Sequence, residues 1–412
     1  MIKRTIAAIL SLTLALSAFG CSDSSSSSDG SSQDTASSSD SQAAAPTTDE
    51  EWETAMLEKS LVSYGNTSLI KDKIAKAQAG EEITIGYLGG SITEGYTVKP
   101  DECYASLTYN SFKEMYGKGD NVKYCNAGLS GTPSRLGRLR MGRDLLPSEP
   151  DIVFVEYAVN DGTDFTYQEA YESIIRTLLE RDIAVVLLFS VTKDDYSAQD
   201  YMKEIGTYYD LPMISYCDAL RFLFENNRLK WEDFSNDEAH PNPEGHKLVA
   251  KMIDNYFKTV VDQQSDAYTL PAEPKNFLIS YGAEMVEGDK LTADDLGSWK
   301  LGDTDVASFS NGWRHVKTGN DPIKFTIKGK NLFMIYKEVG GGNYATVEVI
   351  AKNSSGDEDS TLVNAVKANG WGGPVVAQIA TSDTEQEYEI CISAIPGDEE
   401  KSFQILGFGA TK

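Results

Sequence analysis

Four short apolar runs, separated by helical patterns, constrain the fold of this chain more than any other feature. Each run is apolar over most of its length, not only at alternate positions, which is typical of strands buried on both faces. Such strands form parallel sheets with helices on both sides. The runs are Ile83–Leu88, Val122–Cys125, Ile152–Val155 and Ile183–Phe189, and the helical patterns lie at 105–117, 134–146, 168–181, 198–208 and 244–263.

The second half of the chain has a different pattern. Pro271 and Pro274 mark a linker after Ser265, and no strong helical period follows. Short alternating segments take its place, separated by glycine-rich and Pro-Gly turns, and this spacing predicts an antiparallel β-sandwich. We therefore expect an α/β domain at 51–264 and a β-sandwich domain at 275–412. The alternating segments include 324–327, 331–336, 346–349, 387–392 and 402–405.

The N-terminus has the features of a bacterial export signal. Basic residues precede an apolar stretch, Thr5–Phe19, that is short for a membrane span. The sequence around Cys21 then resembles a lipoprotein cleavage box, which implies a signal peptide at 1–20 and lipidation of Cys21. Simple secretion with an unmodified thiol is the alternative. Residues 21–50 are rich in Ser, Asp and Ala and predict a flexible tether. We expect localisation at the bacterial cell surface, lipid-anchored to the outer face of the cytoplasmic membrane.

The net charge limits the possible partners of the chain, and the spacing of its cysteines limits the possible metal sites. The net charge of −26 argues against nucleic acid and anionic membrane surfaces, because both would repel the chain. We expect contact with a membrane only through the lipid anchor, and neutral glycans or small esters fit the charge better. The other cysteines show no Cys-x-x-Cys pair, so they predict no zinc site. Cys125, Cys217 and Cys391 lie in apolar runs, which are typical of buried thiols and not of disulfide bridges. The full set of these other cysteines is Cys103, Cys125, Cys217 and Cys391.

Polar residues and glycines follow the predicted strands and precede the last helix. Ser91 and Asn160 each come just after a strand, and ligands of parallel sheets bind at that edge. Asp237 and His240 are three residues apart, so the carboxylate can hold the ring N–H. A hydroxyl, an imidazole and a carboxylate are the groups that a serine acyl-transfer enzyme needs. The four blocks are Gly90-Ser91, Asn126-Ala127-Gly128-Leu129-Ser130-Gly131, Val159-Asn160-Asp161 and Asp237-x-x-His240.

The order and placement of these blocks resemble the SGNH (GDSL-like) hydrolase family, a flavodoxin-like α/β/α group of serine esterases. The resemblance covers residues 60–264. It implies that Ser91 is the nucleophile, that His240 is the general base and that Asp237 orients the imidazole. It also implies an oxyanion hole made of the backbone N–H groups of Ser91 and Gly131 and the side-chain amide of Asn160. No metal ion or other cofactor is implied.

Two glycines affect how closely this sequence follows the family pattern. Gly90 stands where many members carry Asp, which leaves the subfamily open but does not affect the triad. Gly128 is the rival of Gly131 in the oxyanion hole, and Gly131 is preferred because the family pattern puts its glycine after the small polar residue. No Gly-x-Ser-x-Gly motif surrounds Ser91, so the common α/β-hydrolase layout does not apply.

Other reactive or aromatic side chains have plainer interpretations. We expect His246 and His315 to be structural, Asp161 to cap or turn the chain, and most tryptophans to pack in a core. Trp371 differs because glycines flank it, so we expect an exposed loop in which it is either an anchor or a platform for a sugar ring. A solvated helix face, from which one residue could contact substrate, is expected for Arg135, Arg138, Arg140 and Arg143.

The leading hypothesis is an extracellular serine esterase that removes acetyl or other small acyl groups from a polysaccharide or oligosaccharide. The reaction would pass through an acyl-serine intermediate. Tethered bacterial carbohydrate esterases with an accessory β-sandwich look similar, although the step from fold to substrate is an analogy. A lipase, thioesterase or cell-envelope deacylase of the same fold is the first alternative. A non-catalytic glycan-binding surface lipoprotein is the second. The oligomeric state stays open.

Overall fold

The structure is a computed structural model, and it describes residues 45–412 apart from Asp289 and Asn369. The predicted signal peptide at 1–20, the lipidation site Cys21 and most of the predicted tether lie outside the described residues. Within the described part of the chain, no helix is long and apolar enough to cross a bilayer.

The first half forms a parallel sheet with the predicted arrangement. Its strands run in the order β1-β6-β5-β4-β2-β3, and only the short edge strand β1 is antiparallel to its neighbour. The order of the five parallel strands is that of flavodoxin-like folds, in which the strand order reverses between β2 and β4. The strands are β1 Leu61–Ser63, β2 Ile83–Gly89, β3 Val122–Gly128, β4 Ile152–Glu156, β5 Ala184–Phe189 and β6 Met213–Ser215.

Helices cover both faces of this sheet. Alternate residues of β4 separate the two cores, because Ile152 and Phe154 pack on one side while Val153 and Val155 pack on the other. Side chains of α2, α4, α8 and α10 join the first core, and those of α5, α6 and α7 join the second. The helices are α1 Asp49–Ser60, α2 Ser68–Ala79, α3 Ser91–Glu94, α4 Tyr104–Tyr116, α5 Ser134–Asp144, α6 Phe165–Leu179, α7 Gln199–Tyr208, α8 Tyr216–Glu225, α9 Trp231–Phe234 and α10 Pro243–Val260.

The second half is an antiparallel β domain. Its strands hydrogen-bond in the order β12-β11-β13-β10-β14-β9-β8, and β7 pairs with β14. Trp299 and Trp313 are buried in its core, as expected from the sequence. The predicted α/β domain followed by an antiparallel β domain is thereby confirmed. The strands are β7 Glu284–Glu287, β8 Trp299–Val306, β9 Phe309–His315, β10 Ile323–Val339, β11 Thr346–Asn353, β12 Glu358–Asn364, β13 Trp371–Ala394 and β14 Gln404–Ala410.

Helix α5 joins the two halves. Leu136 and Leu139 on this helix share an apolar cluster with Phe333, Ile335 and Leu406 of the β domain. Burial of apolar side chains from both halves in one cluster favours a fixed contact between them.

The solvated face predicted for the arginines of α5 is wrong for two of them. Arg138 is 4 % exposed and Arg140 is fully buried. Arg140 donates hydrogen bonds to the carbonyl oxygens of Ala127, at 2.7 Å, and Gly89, at 2.9 Å. The helix lies between the sheet and the β domain, so its polar side chains bind main-chain oxygens of the protein instead of water.

The four cysteines in the described part of the chain are free thiols. Cys103 and Cys217 are buried, whereas Cys125 and Cys391 are partly exposed. The burial expected from the apolar runs is therefore confirmed for Cys217 and wrong for Cys125 and Cys391. Burial raises the pKa of the Cys103 thiol to about 11 and that of Cys217 to about 12, so both stay protonated and unreactive at neutral pH.

Candidate active site

The candidate nucleophile lies where β2 turns into α3. Ser91 is the first residue of this short helix and is buried except for a small part of its surface. Two glycines make the turn possible. A Cβ on Gly89 would lie 2.6 Å from the carbonyl oxygen of Glu156, and one on Gly90 would lie 2.2 Å from Oδ1 of Asn160. An aspartate at position 90 would therefore require Asn160 to move.

Ser91, His240 and Asp237 form a continuous hydrogen-bonded line. His240 Nε2 is 2.8 Å from Ser91 Oγ, and His240 Nδ1 is 2.8 Å from Asp237 Oδ2. The ring can take the serine proton at one nitrogen while the carboxylate holds the N–H at the other. The structure thus brings together the three residues that the sequence placed in one site, in the order that a serine nucleophile requires.

The loop that carries Asp237 and His240 is held by several hydrogen bonds. Ser235 Oγ donates to the carbonyl oxygen of His240 at 2.6 Å, and Trp231 Nε1 donates to that of Asp237 at 2.6 Å. Asn242 caps α10 by accepting from the Gly245 amide at 2.9 Å. The cap and the loop contacts together restrict how far the imidazole can turn.

The Asp237 carboxylate is set up to stay ionised. Partial burial raises its pKa, but hydrogen bonds from the backbone N–H groups of Ala239 and His240 and from the imidazole lower it more. The net pKa lies below the usual aspartate range. A charged carboxylate at this position stabilises the imidazolium that forms when His240 takes a proton.

The Gly131 loop lies against the nucleophile helix. Ser130 donates its backbone N–H to Glu94 Oε2 at 2.8 Å, and its hydroxyl donates to the same oxygen. The rival glycine, Gly128, already donates its N–H to Asn126 Oδ1 at 2.8 Å. Gly131 has a φ of +67°, a conformation that glycine adopts without strain. No hydrogen bond to another described residue occupies its N–H, so this amide is available to an oxyanion.

Asn160 follows β4 and packs beside the nucleophile turn. Its side chain lies against Gly90, and its Oδ1 is buried without a hydrogen-bond partner among the described residues. The neighbouring Asp161 is buried and accepts from the Ser134 backbone N–H at 2.7 Å and from Tyr201 Oη at 2.9 Å. It therefore caps the start of α5, in agreement with the structural role expected for it. Burial raises its pKa to about 7.

Trp371 brings the β domain to this site. The residue begins β13 and is 51 % exposed. A Cβ on Gly131 would lie 2.3 Å from its Cε2, and a Cβ on Gly373 would lie 1.9 Å from its Cζ2. The indole is thus in close contact with both Gly131 and Gly373. Neither glycine can be replaced without moving the ring.

The two other histidines do not reach the triad. His246 is buried and accepts from the Tyr104 backbone N–H at 3.1 Å. Burial lowers its pKa to about 4, so it is neutral at physiological pH. His315 lies in the β domain, with Nδ1 3.0 Å from the carbonyl oxygen of Lys401. Both have the structural positions expected from the sequence.

Three residues near the triad were missed in the sequence. Tyr96 lies with its ring 5.2 Å from the His240 ring, and Glu94 holds Ser130. Glu156 is fully buried behind α3, where it accepts from Ser190 Oγ at 2.5 Å and Thr93 Oγ1 at 3.1 Å, and burial raises its pKa to about 7. Their positions in the sequence could have indicated them. Glu94 and Tyr96 follow Ser91 within five residues, and Glu156 is the last residue of β4.

A cavity lies beside helix α5, away from the triad. Its volume is about 930 Å³, and it is lined by parts of α5, α6 and the 281–285 segment and by none of the triad residues. Among the described residues, no group of three or more His, Cys, Asp or Glu side chains is arranged to hold a metal ion.

Comparison with known proteins finds a family model and relatives that match part of the chain. Residues 87–248 match the model of the GDSL-like Lipase/Acylhydrolase family. An arylesterase of Vibrio mimicus is 24 % identical over 183 residues, which cover 43 % of this chain and 89 % of the relative. Thioesterase 1/protease 1/lysophospholipase L1 of Escherichia coli K12 is 23 % identical over 201 residues, which cover 46 % of this chain and 89 % of the relative.

A solved structure matches both halves. It is a two-domain esterase active on acetylated mannans, co-crystallised with mannopentaose. The TM-score is 0.74 at 23 % identity, and the match covers 86 % of this chain and 98 % of that one. At this level of identity the likeness establishes the two-domain fold.

Proposed function

We propose that this chain, an esterase of the GDSL-like acylhydrolase fold, is a serine esterase that removes acetyl groups from a polysaccharide or oligosaccharide. The hydrogen-bonded line from Ser91 Oγ through His240 to Asp237, with 2.8 Å at each step, is the observation that carries this proposal. A chain that only bound glycans would have no need for this alignment, so a non-catalytic role is disfavoured.

The first half-reaction transfers the acyl group to the enzyme. Ser91 Oγ attacks the ester carbonyl carbon while its proton passes to His240 Nε2. The bond between the carbonyl carbon and the sugar oxygen then breaks, and His240 returns the proton to that leaving oxygen. The products of this half are an acyl-serine and the free sugar hydroxyl.

The second half-reaction releases acetate. Water attacks the acyl-serine as His240 accepts its proton, and the ester bond to Ser91 breaks with return of the proton to Oγ. In both halves negative charge develops on the carbonyl oxygen. The backbone N–H groups of Ser91 and Gly131 and the Asn160 amide are the proposed donors to it, and one such donor is worth roughly 2.7–4 kcal/mol in comparable enzymes.

The surroundings of Gly131 favour a small acyl group. The indole of Trp371 already lies against Gly131, next to the amide that would bind the oxyanion. An acyl chain longer than acetyl would have to displace the ring or leave by another path. The exposed remainder of the indole offers an apolar face to a sugar ring, and the net charge of −26 favours a neutral glycan over an anionic one.

Acetate release is the test of this function. The purified protein should release acetate from acetylated mannan or xylan, and Ser91→Ala should abolish the release. Ser354→Ala, which changes an exposed serine of the β11–β12 turn, is the matched control and should behave like the parent. Hydrolysis of ethyl acetate without release from any acetylated glycan would reject the glycan substrate but retain the esterase. No hydrolysis of any ester would favour the glycan-binding role.

A thioesterase or lysophospholipase activity is the second candidate, because a curated relative with that name matches 46 % of this chain. The two candidates differ in acyl length. A series of ethyl esters from acetate to octanoate should show a preference for acetate if Trp371 limits the site, and Trp371→Ala should weaken that preference. A parent preference for octanoyl ester or thioester would favour the second candidate.

We also propose that the protein is exported and lipid-anchored through Cys21, as the N-terminal sequence suggests. Mass spectrometry of the membrane-associated protein should find a diacylglyceryl group on the residue 21 thiol. Cys21→Ser should release the protein from the membrane fraction, and unchanged fractionation of this variant would reject the anchor.

A further inference from the structure

Tyr96 is an exposed aromatic residue beside the general base. Its side chain is 67 % exposed, and its ring centroid is 5.2 Å from that of His240 with an interplanar angle of 50°. A single exposed ring is common on protein surfaces, but this one lies beside the imidazole that would protonate the leaving group. A substrate bound at Ser91 would therefore approach it.

The backbone fixes this position. Gly95 ends α3 with a φ of +83°, and the Tyr96 N–H donates to the carbonyl oxygen of Ser91 at 3.1 Å. The next residue, Thr97, donates its hydroxyl to the carbonyl oxygen of Pro241 at 3.1 Å. The segment that carries Tyr96 is thus attached both to the nucleophile helix and to the loop that holds His240.

The two half-reactions divide the site into two sides. His240 Nε2 must protonate the leaving oxygen, so the departing alcohol lies beside the imidazole. The carbonyl oxygen points instead toward the oxyanion donors, where the indole of Trp371 lies against Gly131. Tyr96 is on the imidazole side and Trp371 is on the oxyanion side, so the two rings meet different parts of one substrate.

We propose that Tyr96 forms the binding subsite for the leaving-group sugar, and that its ring packs against the pyranose that carries the ester. This inference rests on the proposed function, because it requires the leaving group to be a sugar. The contact needs the flat apolar face of the ring and not its hydroxyl, since carbohydrate C–H groups pack on aromatic faces. The ring acts during acylation, because the sugar has left before deacylation begins.

The test compares two substrates and two variants. The ratio of kcat/KM for an acetylated manno-oligosaccharide to that for ethyl acetate, whose leaving group has no ring, is measured for each protein. Tyr96→Ala should lower this ratio about tenfold, a value expected for loss of one aromatic contact. Tyr96→Phe keeps the ring and should retain most of the ratio. Phe277→Ala removes another exposed ring, 74 % exposed in the segment before β7, and should leave the ratio unchanged.

Deacylation provides the second readout. The steady rate after a burst on p-nitrophenyl acetate reports hydrolysis of the acyl-serine, in which no sugar takes part. If Tyr96→Ala slows this step as much as acylation and shifts the pH profile, the ring acts on the imidazolium and the subsite is overturned. An unchanged substrate ratio also overturns it. If the parent cleaves ethyl acetate but no glycan ester, the proposed function fails first, and the sugar subsite is rejected with it.

Discussion

Replacing Gly131 with alanine tests the most crowded contact of the candidate active site. The new Cβ would lie 2.3 Å from Cε2 and 2.6 Å from Nε1 of Trp371. Non-bonded carbon atoms sit about 3.5–4.0 Å apart, so the indole or the loop must move by more than about 1 Å. The φ of +67° adds a second cost, because a residue with a Cβ loses about 1–2 kcal/mol in the left-handed region.

Gly119 separates these two costs. Its φ is +72°, but a Cβ there would meet nothing within 4 Å. Gly119→Ala should therefore lower the free energy of unfolding by about 1–2 kcal/mol and leave turnover intact. Gly131→Ala should lose more stability than that. It should also lower kcat/KM by on the order of 10²-fold, because a displacement of about 1 Å in a positioned group has such an effect.

The double variant Gly131→Ala/Trp371→Ala identifies the source of the loss. Removing the indole relieves the clash, so hydrolysis of ethyl acetate should recover at least partly. The urea midpoint should stay low, because alanine at position 131 still has a positive φ. Gly131→Ala with the kcat/KM of the parent would refute the reasoning, because either the new Cβ does not displace this loop or the position of its amide does not matter for turnover. Equal losses in the single and the double variant would refute the crowding alone.

Three further predictions concern groups around the triad. Asp237→Asn should lower kcat on p-nitrophenyl acetate by about 10³–10⁴-fold, because the amide favours the wrong imidazole tautomer. Glu94→Ala frees Ser130 and the Gly131 loop and should lower the same kcat about tenfold, whereas Glu94→Gln keeps an acceptor oxygen and should lose less. The pKa of His246 is lowered to about 4 by burial, so the unfolded chain binds more protons between pH about 6.5 and 4, and stability falls as pH falls through that range. Urea midpoints of His246→Asn should depend less on pH there; an unchanged dependence would contradict this.

The parallel sheet could be predicted because its strands are buried on both faces. In β4, Ile152 and Phe154 face one core while Val153 and Val155 face the other, so the run has no polar gap. The pairing of Asp237 with His240 could also be predicted from the sequence, since a spacing of three residues lets the carboxylate reach the ring, at 2.8 Å in the structure. The short strand β6, Met213–Ser215, could not be predicted, because three residues are too few to show a hydrophobic period.

Contacts between distant segments could not be predicted in the same way. The charges of Arg138 and Arg140 indicated a solvated face, whereas Arg140 binds main-chain oxygens of the strands β2 and β3 and Arg138 donates to the carbonyl oxygen of Ala283. An exposed Trp371 was expected from its flanking glycines, but not its contact with Gly131. Neither a period nor a motif specifies how two domains dock.

The docking of the β domain contributes to the proposed acyl site. Helix α5 begins three residues after Gly131, and its Leu136 and Leu139 share an apolar cluster with Phe333 and Ile335 of β10. The same strand continues to Val339, which pairs with Trp371 at the start of β13. Strand β10 therefore takes part both in the cluster that holds the helix after the Gly131 loop and in the pairing that holds the indole against that loop. Because the interior is close-packed, a shift of β10 would move both together, so under the proposed function the fit of the acyl group would depend on the interface between the domains as well as on the α/β domain.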